Sequence, residues 1–545
     1  MTGTMGWLRG FPGLVLLAAG CSHESAATGG HGVADASVHD ARAAEEAGQA
    51  SLAFPAGFQW GVSISAEESE GGNVNNDWHA FELMGRVPPA GMAQNFYNLY
   101  DTDFANCESM HLNSFQMTIE WARIVPNRPA DPTKLTAADI DQNEVAHYHA
   151  VLADLLAHHL RPVVTVTHYT FPKWFDNPSA YDSTSNTFTD DSLSGFTSYV
   201  AAQALGAYAG FLAQEFGSQV QWWLSEDEPE DDLFTGYMTG TFPPGLTGLS
   251  LTSQYLPNNA SATDVLSNMI AAHALAYRAI HAVQPDAHVS FAHNSLIFTP
   301  INSDPATAAA LTRLDHIYNL VFLDALTTGE FDTSLIGDGP MVSHPEWAHS
   351  LDFVGVNYYD TNYVANAPGF LSPLNAIPCN GNFPSFLLQD FDCPASNPPE
   401  IPGMTAILLK YAQRYKLPLF VTESGTIATP ERKAIFLVQV LKALHAAIEQ
   451  GANVIGYSFW TLSYDYEWND GYSQDMGLYD IKGFFGPDGG APAAGDASVW
   501  SPGPTTDFTR VPLHPVVDIY TSVASTNTLS GAYLDQYATD GGEWY

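Results

Sequence analysis

Positive charge is what this chain has least of: 18 Lys and Arg stand against 59 Asp and Glu, a formal net charge of −41. Nucleic acids and anionic membrane surfaces need a basic footprint, so the balance argues against both as partners. It fits an exported protein acting on neutral or cationic small molecules. Charged residues of either sign reach only 14%, while 46% are hydrophobic, the composition of a large globular core. Cysteine is scarce, four in 545 residues, and no Cys/His spacing resembles a structural zinc site. No transmembrane span is evident, and no internal repeat beyond an alternation of strands and helices.

The N-terminus reads as a processing segment. Arg9 precedes an apolar run from Phe11 to Ala19, and Leu17-Ala18-Ala19-Gly20-Cys21 places small residues directly before a cysteine. That resembles a bacterial lipoprotein signal over 1–21, with Cys21 lipidated; an ordinary secretory signal cleaved nearby is the alternative. Either implies export, to a lipid-anchored place at the cell-envelope membrane or to a secreted or periplasmic one. Residues 22–51 lack periodicity and read as a flexible linker. Cys379 and Cys393 bracket a Pro/Asn/Gly-rich loop and could close a disulfide in an oxidising compartment. Cys107 lies in a helical pattern and reads as a buried free thiol.

From Phe54 onward, strands alternate with helices. Strands are expected at Phe58–Ser65, Ser114–Ile119, Val163–His168, from Trp222, at His288–Ala292, Leu351–Asn357, Leu419–Glu423 and Val454–Trp460. Helices fall between them at Asp101–His111, Glu144–His159, Phe196–Phe216, Asp264–Ala282, Leu311–Ala325, Pro402–Tyr415 and Arg432–Gln450. An open doubly wound sheet could hold eight strands, but a closed (β/α)8 TIM barrel is the natural reading, over 52–525, with 526–545 a C-terminal tail. Segments 171–195, 229–262 and 360–401 would be long loops over its C-terminal face.

Two strand ends carry carboxylates where such a barrel exposes its chemistry. Trp222-Trp223-Leu224-Ser225 runs into Glu226-Asp227-Glu228-Pro229, and Leu419-Phe420-Val421-Thr422 runs into Glu423-Ser424-Gly425. A solvated acidic turn would explain the first alone. Two carboxylates at the ends of different strands are what acid-assisted glycosidic cleavage requires.

Around them stand Phe54-Pro55-x-Gly57-Phe58-x-Trp60-Gly61, Ile119-x-Trp121-x-Arg123-Ile124-x-Pro126, Val166-Thr167-His168 and Glu228-Pro229. Asn357-Tyr358-Tyr359, Thr422-Glu423-x-Gly425, Gly456-Tyr457-x-x-Trp460 and Glu467-Trp468 follow in order. This series resembles family 1 glycoside hydrolases, the β-glucosidase group. The resemblance implies the same barrel and a retaining β-glycosidase that needs neither metal nor organic cofactor. Its substrates would be terminal β-linked sugars of short oligosaccharides or glycosides. Glu228 would be the general acid/base and Glu423 the nucleophile. Glu68, His168, Asp227, Tyr359, Trp460, Glu467 and Trp468 would contact or border the sugar, with Tyr359 bonding the nucleophile. For the histidine and the tryptophans, the alternative is ordinary core packing.

The sequence departs from the family pattern at these same places. Asp227 replaces an Asn that reads the 2-hydroxyl, Glu68 a Gln, Gln116 an Arg near the nucleophile, and Ser424 an Asn. Tyr169 replaces a Trp, and Tyr464-Asp465 an Asp-Asn pair. Three of these changes each make the pocket more negative by one charge, and crowded carboxylates cannot all ionise. Three outcomes are open: protonated acids with activity shifted to acid pH, pairing with a cationic sugar such as a 2-amino sugar, or a silent sugar-binding protein. A transglycosidase, passing the sugar to an acceptor other than water, is a further alternative.

Overall fold

The computed structural model describes residues 49–538 apart from 249, 360, 380–400 and 483–506. Eight strands close into a parallel barrel: β1 (Gln59–Ser63), β2 (Ser114–Thr118), β3 (Arg161–Thr165), β4 (Trp222–Asp227), β5 (His288–Asn294), β6 (Val354–Asn357), β7 (Leu419–Glu423) and β8 (Val454–Trp460). Each pairs with its neighbours in chain order, and β8 pairs with β1. Their side chains are almost all buried, as expected of strands covered on both faces.

The principal helices are α1 (Phe96–Ser109), α2 (Gln142–Ala157), α3 (Tyr199–Phe216), α4 (Ala262–Val283), α5 (Pro305–Asn319), α6 (Val321–Thr328), α7 (Ile401–Tyr415) and α8 (Pro430–Glu449). Alanines line the contact of α3 with α4, and a Cβ at Gly206 would lie 2.7 Å from that of Leu275, so this close approach needs glycine.

Several expectations are corrected. The helix expected over Leu311–Ala325 is two, α5 and α6, broken at Leu320 (φ −128°, ψ −44°). There the Asn319 side chain both donates to and accepts from the Leu296 backbone. The strand expected to reach His168 ends at Thr165, because its partner β4 shifts register after Leu224; past that point Val166 N–H still donates to Leu224 O at 2.7 Å and Asp227 N–H to Thr167 O at 3.1 Å. The supposed loop from 229 begins with helical turns, Pro229–Asp232 and a π-helix over Leu233–Thr239. The segment after Asn357 contributes Thr361–Asn366, which pairs with Ile297–Pro300 and Ala376–Pro378 in a small sheet outside the barrel.

The region set apart as a tail, 526–545, is in its described part a strand and a helix. Thr528–Leu529 pairs with Leu52–Ala53, and Gly531–Tyr537 follows. Asn527 ties it to the barrel by accepting from the Trp60 indole at 2.9 Å and donating to Phe54 O at 2.9 Å. Buried Cys107 is a free thiol, as expected. Cys379 is disulfide-bonded; Cys393, its expected partner, lies outside the described residues, as do Cys21, the whole of 1–21 and most of 22–51. Among the described residues no helix is long and apolar enough to cross a membrane.

Candidate active site

Both carboxylates that end strands are delivered by a one-residue bulge. On β4, Leu224 pairs with Ser290 but Asp227 pairs with Ala292, so three residues advance against two. On β7, Val421 pairs with Val356 but Glu423 with Asn357, and Thr422 is the extra residue. A bulge re-aims the side chains that follow it. Glu228 then adopts a left-handed backbone (φ 41°, ψ 56°), its N–H donating to Ala292 O at 2.8 Å and its carbonyl accepting from Asp231 and Asp232. This conformation costs a non-glycine residue about 1 to 2 kcal/mol. It puts the carboxylate at the rim, where Pro229 opens the next helical turn.

The two carboxylates have different partners. Tyr169 Oη donates to Glu228 Oε2 at 2.7 Å, and Asn357 Nδ2 donates to Glu228 Oε1 at 3.0 Å and to Asp227 Oδ1 at 3.3 Å. The Asn357 amide is oriented by Thr422, whose hydroxyl donates to its carbonyl oxygen at 2.7 Å. Glu423 accepts from Tyr359 Oη at 2.8 Å on Oε2 and from Gln116 Nε2 at 3.3 Å on Oε1. No Lys or Arg touches either one among the described residues.

A cavity of about 280 Å³ opens between them. His168, Trp460 and Trp468 form one wall, with the imidazole stacked 5.6 Å from one indole and 5.8 Å from the other. Trp460 Nε1 donates to Glu467 Oε1 at 3.3 Å. Six lining side chains are carboxylates: Asp227, Glu228, Asp231, Glu423, Glu467 and Asp470. His168, Asp227 and Glu423 are the one trio of metal-ligating type among the described residues, each offering an atom within 4.8 Å of the others.

Burial is the largest influence on each of the six acids that line the cavity. It raises Glu423, pushed further by Asp227 and Glu228 and held back by the Tyr359 hydroxyl. It raises Asp227, with Glu228 adding to the effect. Glu228 is raised too, but Tyr169 and Asn357 hydrogen bonds oppose the shift. Glu467 is raised to about 7 and Asp231 to about 8. Burial pushes His168 down to about 3. The 3.3 Å contact of His168 Nε2 with Asp227 Oδ2 therefore sets an uncharged imidazole against a carboxyl that burial pushes toward its protonated form.

The family model for glycosyl hydrolase family 1 matches residues 50–484. The chain belongs to that family. Beta-glucosidase 47 of Arabidopsis thaliana is 26% identical, covering 78% of this chain and 81% of its own length. A beta-galactosidase of Sulfolobus acidocaldarius is 28% identical over 79% and 91%. The beta-glycosidase from Pyrococcus horikoshii shares the fold, with a TM-score of 0.70 at 24% identity, covering 90% of this chain and 99% of that one. This family 1 member is a glycoside hydrolase of the β-glucosidase type, and its substrates are small carbohydrates.

Within this family 1 barrel, the structure brings Glu228, Glu423, His168, Asp227, Tyr359, Trp460, Glu467 and Trp468 into one cavity. Glu68 is not among the lining residues but lies within electrostatic reach of two lining acids, Glu467 and Glu423. The Glu68 carboxylate is buried outside the lining, accepts from the Ser65 hydroxyl at 2.5 Å, and is raised by burial and by Glu467 and Asp465. Of the acids ending β4, Glu226 lines a separate cavity of about 10 Å³ with Asp232. Sequence assigns no contact to several of the side chains here, among them four that bear on the two carboxylates. Asn357 bridges Asp227 and Glu228, Tyr169 holds Glu228, Gln116 holds Glu423, and Asp231 lines the cavity beside Glu228. Asn357 was visible as a polar strand end, and Asp231 as an acid one helical turn after Glu228. Ser424 is buried, its hydroxyl without a hydrogen-bond partner among the described residues.

Proposed function

We propose that this chain is a retaining β-glycosidase that releases terminal β-linked sugars from short oligosaccharides or glycosides. The observation that carries the reading is the division of partners between two carboxylates in one cavity. Glu423, held by Tyr359 and Gln116, attacks the anomeric carbon, while Glu228, held by Tyr169 and Asn357, protonates the departing oxygen. The C1–O bond breaks as the C1–Oε bond to Glu423 forms. Glu228 then takes a proton from water, which displaces Glu423 and restores the configuration at C1. The stacked indoles offer the sugar an apolar face, and Glu467 an acceptor for its hydroxyls. Export with lipid attachment at Cys21 is part of the same proposal and rests on the N-terminal sequence alone.

The test is nucleophile replacement. Glu423→Gly should abolish turnover of aryl β-glycosides, and added azide should restore it, releasing the α-glycosyl azide from the face that Glu423 vacated. Turnover that survives the substitution would overturn the assignment. The second reading, a silent sugar-binding protein, draws on the neutral Gln116 beside Glu423. Folded wild-type protein that binds sugars but turns over none of a panel of β-glycosides would establish it.

A further inference from the structure

The floor of the cavity has a charge imbalance that its own side chains leave open. Asp227 and Glu423 are 4% and 3% exposed, and His168 2%. One oxygen from each acid and one ring nitrogen of His168 lie within 4.8 Å of one another. The hydrogen bonds that reach these acids come from neutral groups, Asn357, Gln116 and Tyr359. Among the described residues, the buried cations Lys433 and Arg510 and the half-buried Arg123 are engaged elsewhere, with Asp475 at 3.0 Å, Asp103 at 2.6 Å and Glu70 at 2.8 Å. His168 is neutral, and its Nδ1 has no hydrogen-bond partner among the described residues.

The partners of the two carboxylates also leave open which of them keeps a proton. Glu228 must hold a proton and Glu423 must not. Each accepts two hydrogen bonds from neutral donors, and Glu423 is in addition raised by its neighbours Asp227 and Glu228. A cation placed between Asp227 and Glu423 would favour the ionised form of both, and a proton would then stay on Glu228.

We infer that the substrate itself brings this cation, as an ammonium group on C2 of the sugar whose bond is cut. The inference rests on the glycosidase reading above, because Glu423 fixes where C1 lies. An attacking oxygen sits about 3 Å from C1, so acceptors within 4.8 Å of Glu423 reach substituents on the ring atoms next to C1. Of those two atoms, the ring oxygen carries no substituent and C2 carries one. An ammonium has three N–H donors and no acceptor. At hydrogen-bond length its tetrahedral donors place acceptors about 4.7 Å apart or closer, which the spacing of the trio matches. The substrate class is therefore β-glycosides of 2-amino-2-deoxy sugars with the amine free. An N-acetyl group would bring no charge. Asp231, half-buried beside Glu228, adds a further acid to the same cavity.

The experiment compares the aryl β-glucosaminide with the matched β-glucoside, which differs only in a neutral hydroxyl at C2. Near pH 6 to 7, where the amine is charged and carboxyls are titrating, kcat/KM should favour the glucosaminide. The ratio should be on the order of 10- to 100-fold, the worth of a charge-assisted hydrogen bond over a neutral one. Asp227→Asn should collapse that ratio toward or below one, and calorimetric titration should show free glucosamine binding wild type more tightly than glucose. Turnover of the glucoside with no preference for the amine overturns the inference and leaves the glycosidase standing. Tight glucosamine binding without turnover of either substrate supports the cation site and defeats the glycosidase reading. A stoichiometric zinc ion in the purified protein, lost with His168→Ala, would show that a metal takes the place of the ammonium and overturn the inference.

Discussion

Tyr169 donates its phenolic proton to Glu228 Oε2 across 2.7 Å. A donor aimed at a carboxylate favours the anion, and this bond is one of two that hold the acid/base below where burial alone would take it. Tyr169→Phe removes the donor and keeps the ring against Phe242 and Trp468. The alkaline limb of the kcat/KM profile should move up by about half to one pH unit, with hydrolysis of the glycosyl intermediate slowed because the base step loses its orientation. An unmoved limb would remove Tyr169 from proton control.

Gln116 reaches Glu423 with a neutral amide at 3.3 Å. Gln116→Arg would place a cation there and favour the ionised nucleophile, lowering its pKa. Turnover of neutral aryl glycosides near pH 7 should rise several-fold, and any preference for an amino sugar should fall. Full pH–rate profiles of a folded variant check both. No change in either would mean that crowding of charge does not limit this site.

The shifted acids make stability depend on pH. Folded Glu467 and Asp231 titrate at about 7 and about 8, against roughly 4 in the unfolded chain. The folded state thus keeps protons that the unfolded state releases. Stability from these groups is complete below about pH 4 and is lost as pH rises to about 8. His147, His168 and His273, lowered to about 4, 3 and 4, act with the opposite sign and lose stability as pH falls below about 6.5. Many more acids than histidines are shifted, so Tm measured by calorimetry should fall from about pH 5 to 8. Asp227→Asn should flatten the fall. A rising Tm across that range would contradict the burial argument.

Arg510 lies beyond the stretch matched by the family model and pairs with Asp103 through two hydrogen bonds of 2.8 and 2.6 Å, both side chains buried. Its third nitrogen donates to Gln94 O and Phe508 O. Arg510→Met would strand Asp103 in the interior at a cost of about 3 to 5 kcal/mol. Adding Asp103→Leu should recover most of it. Chemical denaturation measures both, and a single substitution costing under about 1 kcal/mol would detach this segment from the core.

How much was legible in the sequence follows from the distance over which each feature is encoded. Leu419–Glu423 and Val454–Trp460 were placed to the residue because apolar runs and their stops are local. His168 reads as part of a strand that ends three residues earlier, because the register shift in its partner β4 leaves no mark in hydropathy. Glu68 aligned with a sugar-contacting position but packs against Ser65 outside the cavity lining, and only three-dimensional packing sets that direction.

By itself, then, the sequence determined the alternation that closes the barrel, the two strand-end carboxylates, and the acid-rich composition of their surroundings. Tertiary structure decided the partners. Gln116 and Glu423 are 307 positions apart in the chain, and Asn357 and Glu228 are 129. Which amide meets which acid depends on strand register, and two one-residue bulges set that register where it matters. A bulge is a property of two paired strands, so neither strand's sequence contains it alone.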